Sequence, residues 1–147
     1  MPRLNEKYGN LSVGGTDFSE KSIAVAKKVF PRDANNFWVQ SMTDPHTRIK
    51  SNTYDHVFSF GAMGMYLRHN ELFRTVQEAI RIAKPGGSLL FTNFLEPNGT
   101  CVGSIVDRVE KNWWFDHQEE LGVYGTAIHG MVKSQGDRYA VCLTKKR

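Results

Sequence analysis

The stretch that most constrains the fold runs from residue 70 to residue 94, where one apolar period gives way to another. Phe73, Val76, Ile80 and Ala83 recur at the spacing that lines one face of a helix, and Asn70 stands where a cap is needed. Lys84-Pro85-Gly86-Gly87 then ends the helix, because proline cannot join the helical ladder and keeps the residue before it extended. Ser88–Phe94 follows as an apolar run of strand length, interrupted by Thr92 and Asn93. A chain that alternates helix, break and strand in this way is an α/β protein.

The same alternation extends in both directions. Leu4–Tyr8 reads as the end of a helix closed by Gly9-Asn10, and Leu11–Thr16 as a short buried strand that ends at Asp17. Ser19 is placed to cap a helix carrying Ile23, Ala26, Lys27 and Phe30, and Pro31 stops it. Asn36–Ser41 and Tyr54–Phe60 are strand candidates on either side of a polar loop, Thr43–Thr53. A further helix is expected over Ser104–Trp114. Gly125–Val132 and Arg138–Thr144 read as an antiparallel hairpin about a turn at Ser134–Asp137, since Tyr139, Val141 and Leu143 alternate as a half-buried strand requires.

At 147 residues the chain has the size of a single domain, expected over residues 1–147. Hydrophobic residues at 40% and charged residues at 23% exclude a disordered chain. The net charge of +4 is scattered over Lys27, Lys28, Lys111 and the tail Lys145, Lys146, Arg147, so no nucleic-acid partner is expected. Cys101 and Cys142 have no metal or redox spacing and are expected to be reduced thiols, and the five histidines have no ligand spacing, so no metal is expected. No apolar run is long enough to cross a membrane and the amino terminus has no secretory h-region, which points to the cytoplasm and to no membrane partner.

An open parallel sheet binds ligands beyond the carboxyl ends of its strands. The segments of interest are therefore Asp17-Phe18, Ser41-Met42 and Phe60–Tyr66. An acid at the tip of a strand can accept hydrogen bonds from the vicinal hydroxyls of a ribose, or can simply cap the following helix. For Asp17 the residues alone leave both roles open.

The segment Gly15-Thr16-Asp17-Phe18-Ser19-Glu20-Lys21-Ser22-Ile23 resembles the acidic second-strand motif of the class I (Rossmann-like) S-adenosylmethionine-dependent methyltransferases. Tyr54-Asp55-His56-Val57-Phe58-Ser59-Phe60 is similar to the fourth strand of that family. Glu78–Leu89, with Lys84-Pro85-Gly86-Gly87 inside it, looks like the passage from helix to fifth strand. The three occur in the family's order and spacing. The resemblance implies a mostly parallel methyltransferase sheet with a carboxy-terminal antiparallel hairpin and helices on both faces.

It also implies S-adenosylmethionine as cofactor, with Asp17 on the ribose, Phe18 against the adenine, and Ser41 and Met42 at the adenine edge. Ser41 stands where the family usually has an acid. Phe60 and Gly61 would flank the methionine portion, and Met65 and Tyr66 would wall an acceptor pocket, although packing under the following helix suits Met63 and Met65 equally. His69 is a weaker candidate for a base. His117 beside Glu119 and Glu120 reads as surface polarity, and Trp113, Trp114 and Phe115 as core.

One family element is missing from the sequence. The glycine-rich loop that follows the first strand does not occur, and Gly14-Gly15 lies too close to Asp17 to replace it. The family's first strand lies centrally, between the second and the fourth. The chain is therefore expected to be an amino-terminally incomplete domain, with three outcomes open for the gap: a longer parent protein, a homo-oligomer or partner chain that fills it, or direct pairing of the flanking strands. The activity expected of the intact parent domain is methyl transfer, with a small-molecule acceptor because no basic patch is present. The catalytic residue is unknown, since the cofactor carries the activation. The alternative is a non-catalytic methyltransferase-like fragment or split subunit acting through a protein partner. A nicotinamide-dependent oxidoreductase would share the acid after the second strand, but no Tyr-x-x-x-Lys pair is present.

Overall fold

A computed structural model describes residues 11–95, 109–130 and 138–147 of the protein. The expected helix end at Leu4–Tyr8 and turn at Ser134–Asp137 lie outside these residues. The chain divides into two compact units, Met1–His46 and Thr47–Arg147.

In the first unit β1 (Gly15–Asp17) runs parallel to β2 (Phe37–Val39), with Gly15 opposite Phe37 and Asp17 opposite Val39. The connection is α1 (Glu20–Val29) and a short 3-10 turn, Pro31–Asn36. Ser19 caps α1 as its position suggests: its Oγ accepts from the Ser22 N–H at 3.3 Å. Lys27 and Lys28 lie in the last turn, where they oppose the negative end of the helix dipole. Ile23 is buried and Phe30 stacks on Phe37 with centroids 5.8 Å apart, so the apolar face expected for this helix is the one turned inward. The first strand is shorter than Leu11–Thr16. Residues 11 and 12 are held by side chains instead of a ladder: the Arg32 guanidinium donates to the Leu11 carbonyl, and Ser12 Oγ donates to Asp33 Oδ1 at 2.9 Å.

The second unit contains β3 (Tyr54–Ser59), the single turn α2 (Met63–Tyr66), α3 (His69–Ile82), β4 (Ala83–Leu95), α4 (Lys111–Leu121), β5 (Val123–Gly130) and β6 (Arg138–Lys145). The sheet order is β3-β4-β6-β5. β3 and β4 are parallel, while β6 is antiparallel to both β4 and β5. Among the described residues β1 has one ladder neighbour, β2, and β3 has one, β4.

Several boundaries in this unit differ from the sequence reading. The cap of α3 is Arg68, not Asn70; the Arg68 N–H donates to Glu71 Oε2 at 3.0 Å, half of a capping box, and Asn70 Oδ1 accepts from the Glu71 N–H within the first turn. Helix α3 ends at Ile82, just before Lys84–Gly87 as expected, but no turn separates it from the next strand. The chain is already extended at Ala83, with ψ at 144°, and these residues form an irregular opening of β4 in which Gly86 has φ +76°. The register then jumps from Tyr54 opposite Ala83 to His56 opposite Ser88, as a bulge requires. The helix expected over Ser104–Trp114 is α4, which runs over Lys111–Leu121 and stops at Gly122, a left-handed carboxy-terminal cap with φ +69°. Ser104–Arg108 lie outside the described residues.

The core of this unit is aromatic. Tyr139, Val141 and Leu143 are buried on one face of β6, confirming the alternation expected for the hairpin, and they meet Leu89, Phe91 and Phe94 of β4. Trp114 packs edge-on against Phe94 at 4.9 Å, and Phe94 stacks on Tyr139 at 5.5 Å. Trp114 Nε1 donates to the Tyr139 hydroxyl at 3.0 Å, and that hydroxyl donates to the Val109 carbonyl at 2.7 Å. Every polar atom of this pair is thus satisfied inside the core. Leu72, Val76 and Ile80 bury the inward face of α3.

Charged groups tie the opposite end of the sheet. Lys84 Nζ lies 2.9 Å from both oxygens of Asp55, and this ammonium holds the Asp55 carboxyl below the usual carboxylate range. Lys145 Nζ donates to Asn52 Oδ1 at 2.7 Å and to the Ala83 carbonyl at 2.9 Å, closing the carboxyl end of α3. Burial pushes the Lys145 ammonium down, and the nearby Arg81 charge acts in the same direction. Arg81 is itself held by Glu78 at 2.6 Å and raised by it. These clamps lie at the amino ends of β3 and β4, so they serve the scaffold and leave the carboxyl ends open for chemistry.

Candidate functional site

In the first unit the carboxyl ends of β1 and β2 present Asp17, Phe18, Ser41 and Met42. Asp17 is half-buried at the last position of β1, and its Oδ1 accepts from the Ser19 N–H at 2.8 Å. The cap of α1 is Ser19, so Asp17 does not cap the helix itself; it closes an Asx turn in front of the cap, and this occupies one carboxylate oxygen. Phe18, the next residue, is 75% exposed. The ladder continues one step beyond the strands, where the Gln40 N–H donates to the Asp17 carbonyl at 2.9 Å.

Gln40 also fixes the loop that carries Ser41 and Met42. Its amide nitrogen donates to the carbonyls of Asp44 and Pro45, at 3.3 and 2.9 Å, and contacts His46 Nδ1 at 2.6 Å. Ser41 Oγ is 2.9 Å from Thr43 Oγ1 and accepts from the Thr43 N–H at 3.3 Å. Ser41 and Met42 are half-buried. Both strand ends in this unit are thus set in defined turns.

In the second unit the corresponding ends are those of β3 and β4. Phe60 is 64% exposed and stacks on Phe58 at 5.8 Å. Gly61 turns the chain with φ +79°, and its N–H donates to Thr92 Oγ1 at 3.0 Å. The next turn sits directly on β4: a Cβ on Gly64 would come within 2.5 Å of the Asn93 carbonyl oxygen. Met63 is buried, which satisfies its packing role, whereas Tyr66 is 69% exposed. Met65 lies in the middle of this turn. His69 is exposed at the start of α3.

Thr92 and Asn93 belong to this strand end and went unread in the sequence except as an interruption of an apolar run. Asn93 has φ +66°, at the point where the β4–β6 register shifts between Phe91 and Phe94. A polar pair breaking an otherwise apolar central strand near its carboxyl end was the available signal. His117 also departs from its expected surface role: its ring stacks on Trp113 at 4.5 Å and its Nδ1 lies 2.8 Å from the Trp113 carbonyl. Trp114 is fully buried, as expected, while Phe115 is exposed.

An adenosyl ligand needs an acceptor for its ribose and apolar surface for its base. Asp17, with one oxygen beyond its bond to the Ser19 N–H, and the exposed Phe18 beside it fit those needs. Among the described residues no group of three or more His, Cys, Asp and Glu side chains is arranged to hold a metal ion.

Comparison with known proteins shows the family. Residues 1–87 match the model of a methyltransferase domain family. No curated protein matches the chain in sequence. An O-methyltransferase family protein from Burkholderia thailandensis superposes with a TM-score of 0.70 at 13% identity, covering 98% of this chain and 46% of that one. A Methanosarcina mazei S-adenosylmethionine-dependent methyltransferase gives 0.66 at 13% identity, over 98% of this chain and 86% of its own. The complex between the Haloferax volcanii Trm112 methyltransferase activator and a methyltransferase gives 0.70 at 15% identity, over 99% and 77%. The chain spans about half the length of several of the solved structures it matches. With its Rossmann-like α/β fold and a family match over more than half its length, the chain belongs to the class I methyltransferases, whose cofactor is S-adenosylmethionine.

Proposed function

We propose that the protein, as part of an intact methyltransferase domain, transfers a methyl group from S-adenosylmethionine to a small molecule. The observation that carries this reading is Asp17, a carboxylate at the carboxyl end of β1 with one oxygen committed to the Ser19 N–H. The cofactor supplies a methyl group already activated on a sulfonium, so the protein's work is alignment and exclusion of water. Asp17 accepts from the ribose hydroxyls, Phe18 covers the adenine, and Ser41 and Met42 border it. Phe60 and Gly61 flank the methionine portion, and Met65 and Tyr66 form the wall met by the acceptor. The scattered positive charge supports a small acceptor over a nucleic acid. No helix among the described residues is long and apolar enough to cross a membrane, and we place the activity in the cytoplasm.

A second reading is a methyltransferase-like subunit that acts through a protein partner. Its support is the exposed aromatic row His56, Phe58 and Phe60 at β3. Isothermal titration of S-adenosylhomocysteine into the purified chain separates the two. Micromolar binding lost in Asp17→Ala supports the enzyme reading. A folded chain that binds no cofactor product supports the second.

A further inference from the structure

Asn93 combines three properties. It is a non-glycine residue at φ +66°, it lies at the carboxyl end of β4 beside the end of parallel β3, and its Oδ1 is closed off from solvent without a hydrogen-bond partner. The conformation alone is explained by the register shift between Phe91 and Phe94, since asparagine tolerates the left-handed region. That explanation does not cover the amide oxygen. Aspartate or glycine would serve the backbone as well, and a buried acceptor without a donor costs stability.

The surroundings of this amide are fixed by neighbours. Thr92 Oγ1 is taken by the Gly61 N–H at 3.0 Å. A Cβ on Gly61 would stand 2.9 Å from Asn93 Nδ2, so the amide lies against the Phe60–Gly61 turn. We infer that Asn93 Oδ1 is the acceptor for a hydrogen-bond donor, an ammonium, amine or hydroxyl group, on the ligand bound at the ends of β3 and β4. Reaching it requires a small shift of the turn against which the amide lies. That turn is bordered by the exposed rings of Phe60 and Tyr66, which give an incoming ligand apolar surface to hold. This inference rests on the proposed methyl-transfer reading and adds to it a ligand contact in the second unit.

With the ribose hydroxyls given to Asp17 and the adenine to Phe18, two donors remain for the end of β4: the amino group of the methionine portion, or a donor on the acceptor molecule where it meets the transferred methyl. Two probes separate them. S-adenosylhomocysteine has only the first, whereas sinefungin also carries an amine where the methyl would be. Both are titrated calorimetrically into the wild-type chain, into Asn93→Gly, which keeps the backbone conformation but removes the acceptor, and into Asn93→Asp, which keeps an acceptor oxygen. Loss of one charge-assisted hydrogen bond predicts weakening by roughly tenfold or more in Asn93→Gly, with affinity retained in Asn93→Asp. Weakening of both probes identifies the methionine amino group; weakening of sinefungin alone places the donor at the methyl position. If both probes bind Asn93→Gly as tightly as wild type, Asn93 serves the backbone alone and the inference is overturned. If neither probe binds the wild-type chain, the methyl-transfer reading falls and takes this contact with it.

Discussion

Gly64 lies so close to the peptide unit of Asn93 that a Cβ there would stand 2.5 Å from the Asn93 carbonyl oxygen and 2.7 Å from the Phe94 nitrogen. The obstacles are backbone atoms of a central strand, which cannot rotate away as a side chain would. Gly64→Ala therefore has to displace the Met63–Tyr66 turn or bend β4. It is expected to lower stability by about 2 kcal/mol in urea unfolding, in the range of core overpacking. Gly86→Ala is the control, because Gly86 has φ +76° but nothing within 4 Å of an added Cβ. It incurs only the left-handed penalty, about 1 kcal/mol. Equal losses in the two variants would mean that the contact between the turn and β4 contributes nothing.

The Tyr139 hydroxyl joins two buried partners, accepting from Trp114 Nε1 and donating to the Val109 carbonyl. Tyr139→Phe preserves the ring stacked on Phe94 and leaves both partners unpaired in a closed core. A loss of about 1–3 kcal/mol is expected, with an unchanged denaturant slope because the surface exposed on unfolding is the same. A variant as stable as wild type would show that these partners find other bonds.

What could be read in the sequence follows from how local each cause is. Tyr139, Val141 and Leu143 announced their strand because one buried face imposes a period of two. Ser19 and Ile23 announced α1 because cap and apolar face lie within a few residues of each other. Lys84–Gly87 was legible in part: the helix does end just before it, at Ile82, but the same residues also form a bulge inside β4, visible only through its register with β3. The Asn93 conformation was out of reach for the same reason, since it arises where β4 slips against β6, a strand more than forty residues later in the chain. Asp17 was legible as a strand-end acid, but its bond to the Ser19 N–H required coordinates.

Asp55 and Lys84 give a prediction in pH. The Lys84 ammonium depresses the folded-state pKa of Asp55 below its unfolded value. A depressed carboxylate contributes stability that is present above the unfolded pKa and is lost as pH falls through the folded one. The pair is exposed, so the effect is small and screened by salt. In a carboxyl-detected NMR titration the Asp55 midpoint is expected below the ordinary aspartate range, and Lys84→Gln should raise it. A midpoint that does not move in Lys84→Gln would assign the shift to another cause.

Asp17 has two tasks, and one substitution separates them. Asp17→Ala removes the acceptor for the Ser19 N–H along with the charge, so any loss of ligand affinity is mixed with a loosened turn before α1. Asp17→Asn keeps an oxygen for that bond and replaces the other carboxylate oxygen with a nitrogen, a donor where the ribose hydroxyls need an acceptor. The Asn variant is expected to unfold at the wild-type midpoint while binding S-adenosylhomocysteine roughly tenfold or more weakly, the cost of losing hydrogen bonds to a charged group. The Ala variant is expected to lose affinity to a similar degree and about 1 kcal/mol of stability as well. If Asp17→Asn bound the ligand as tightly as wild type, the carboxylate would serve only the turn before α1, and the ribose would need another partner.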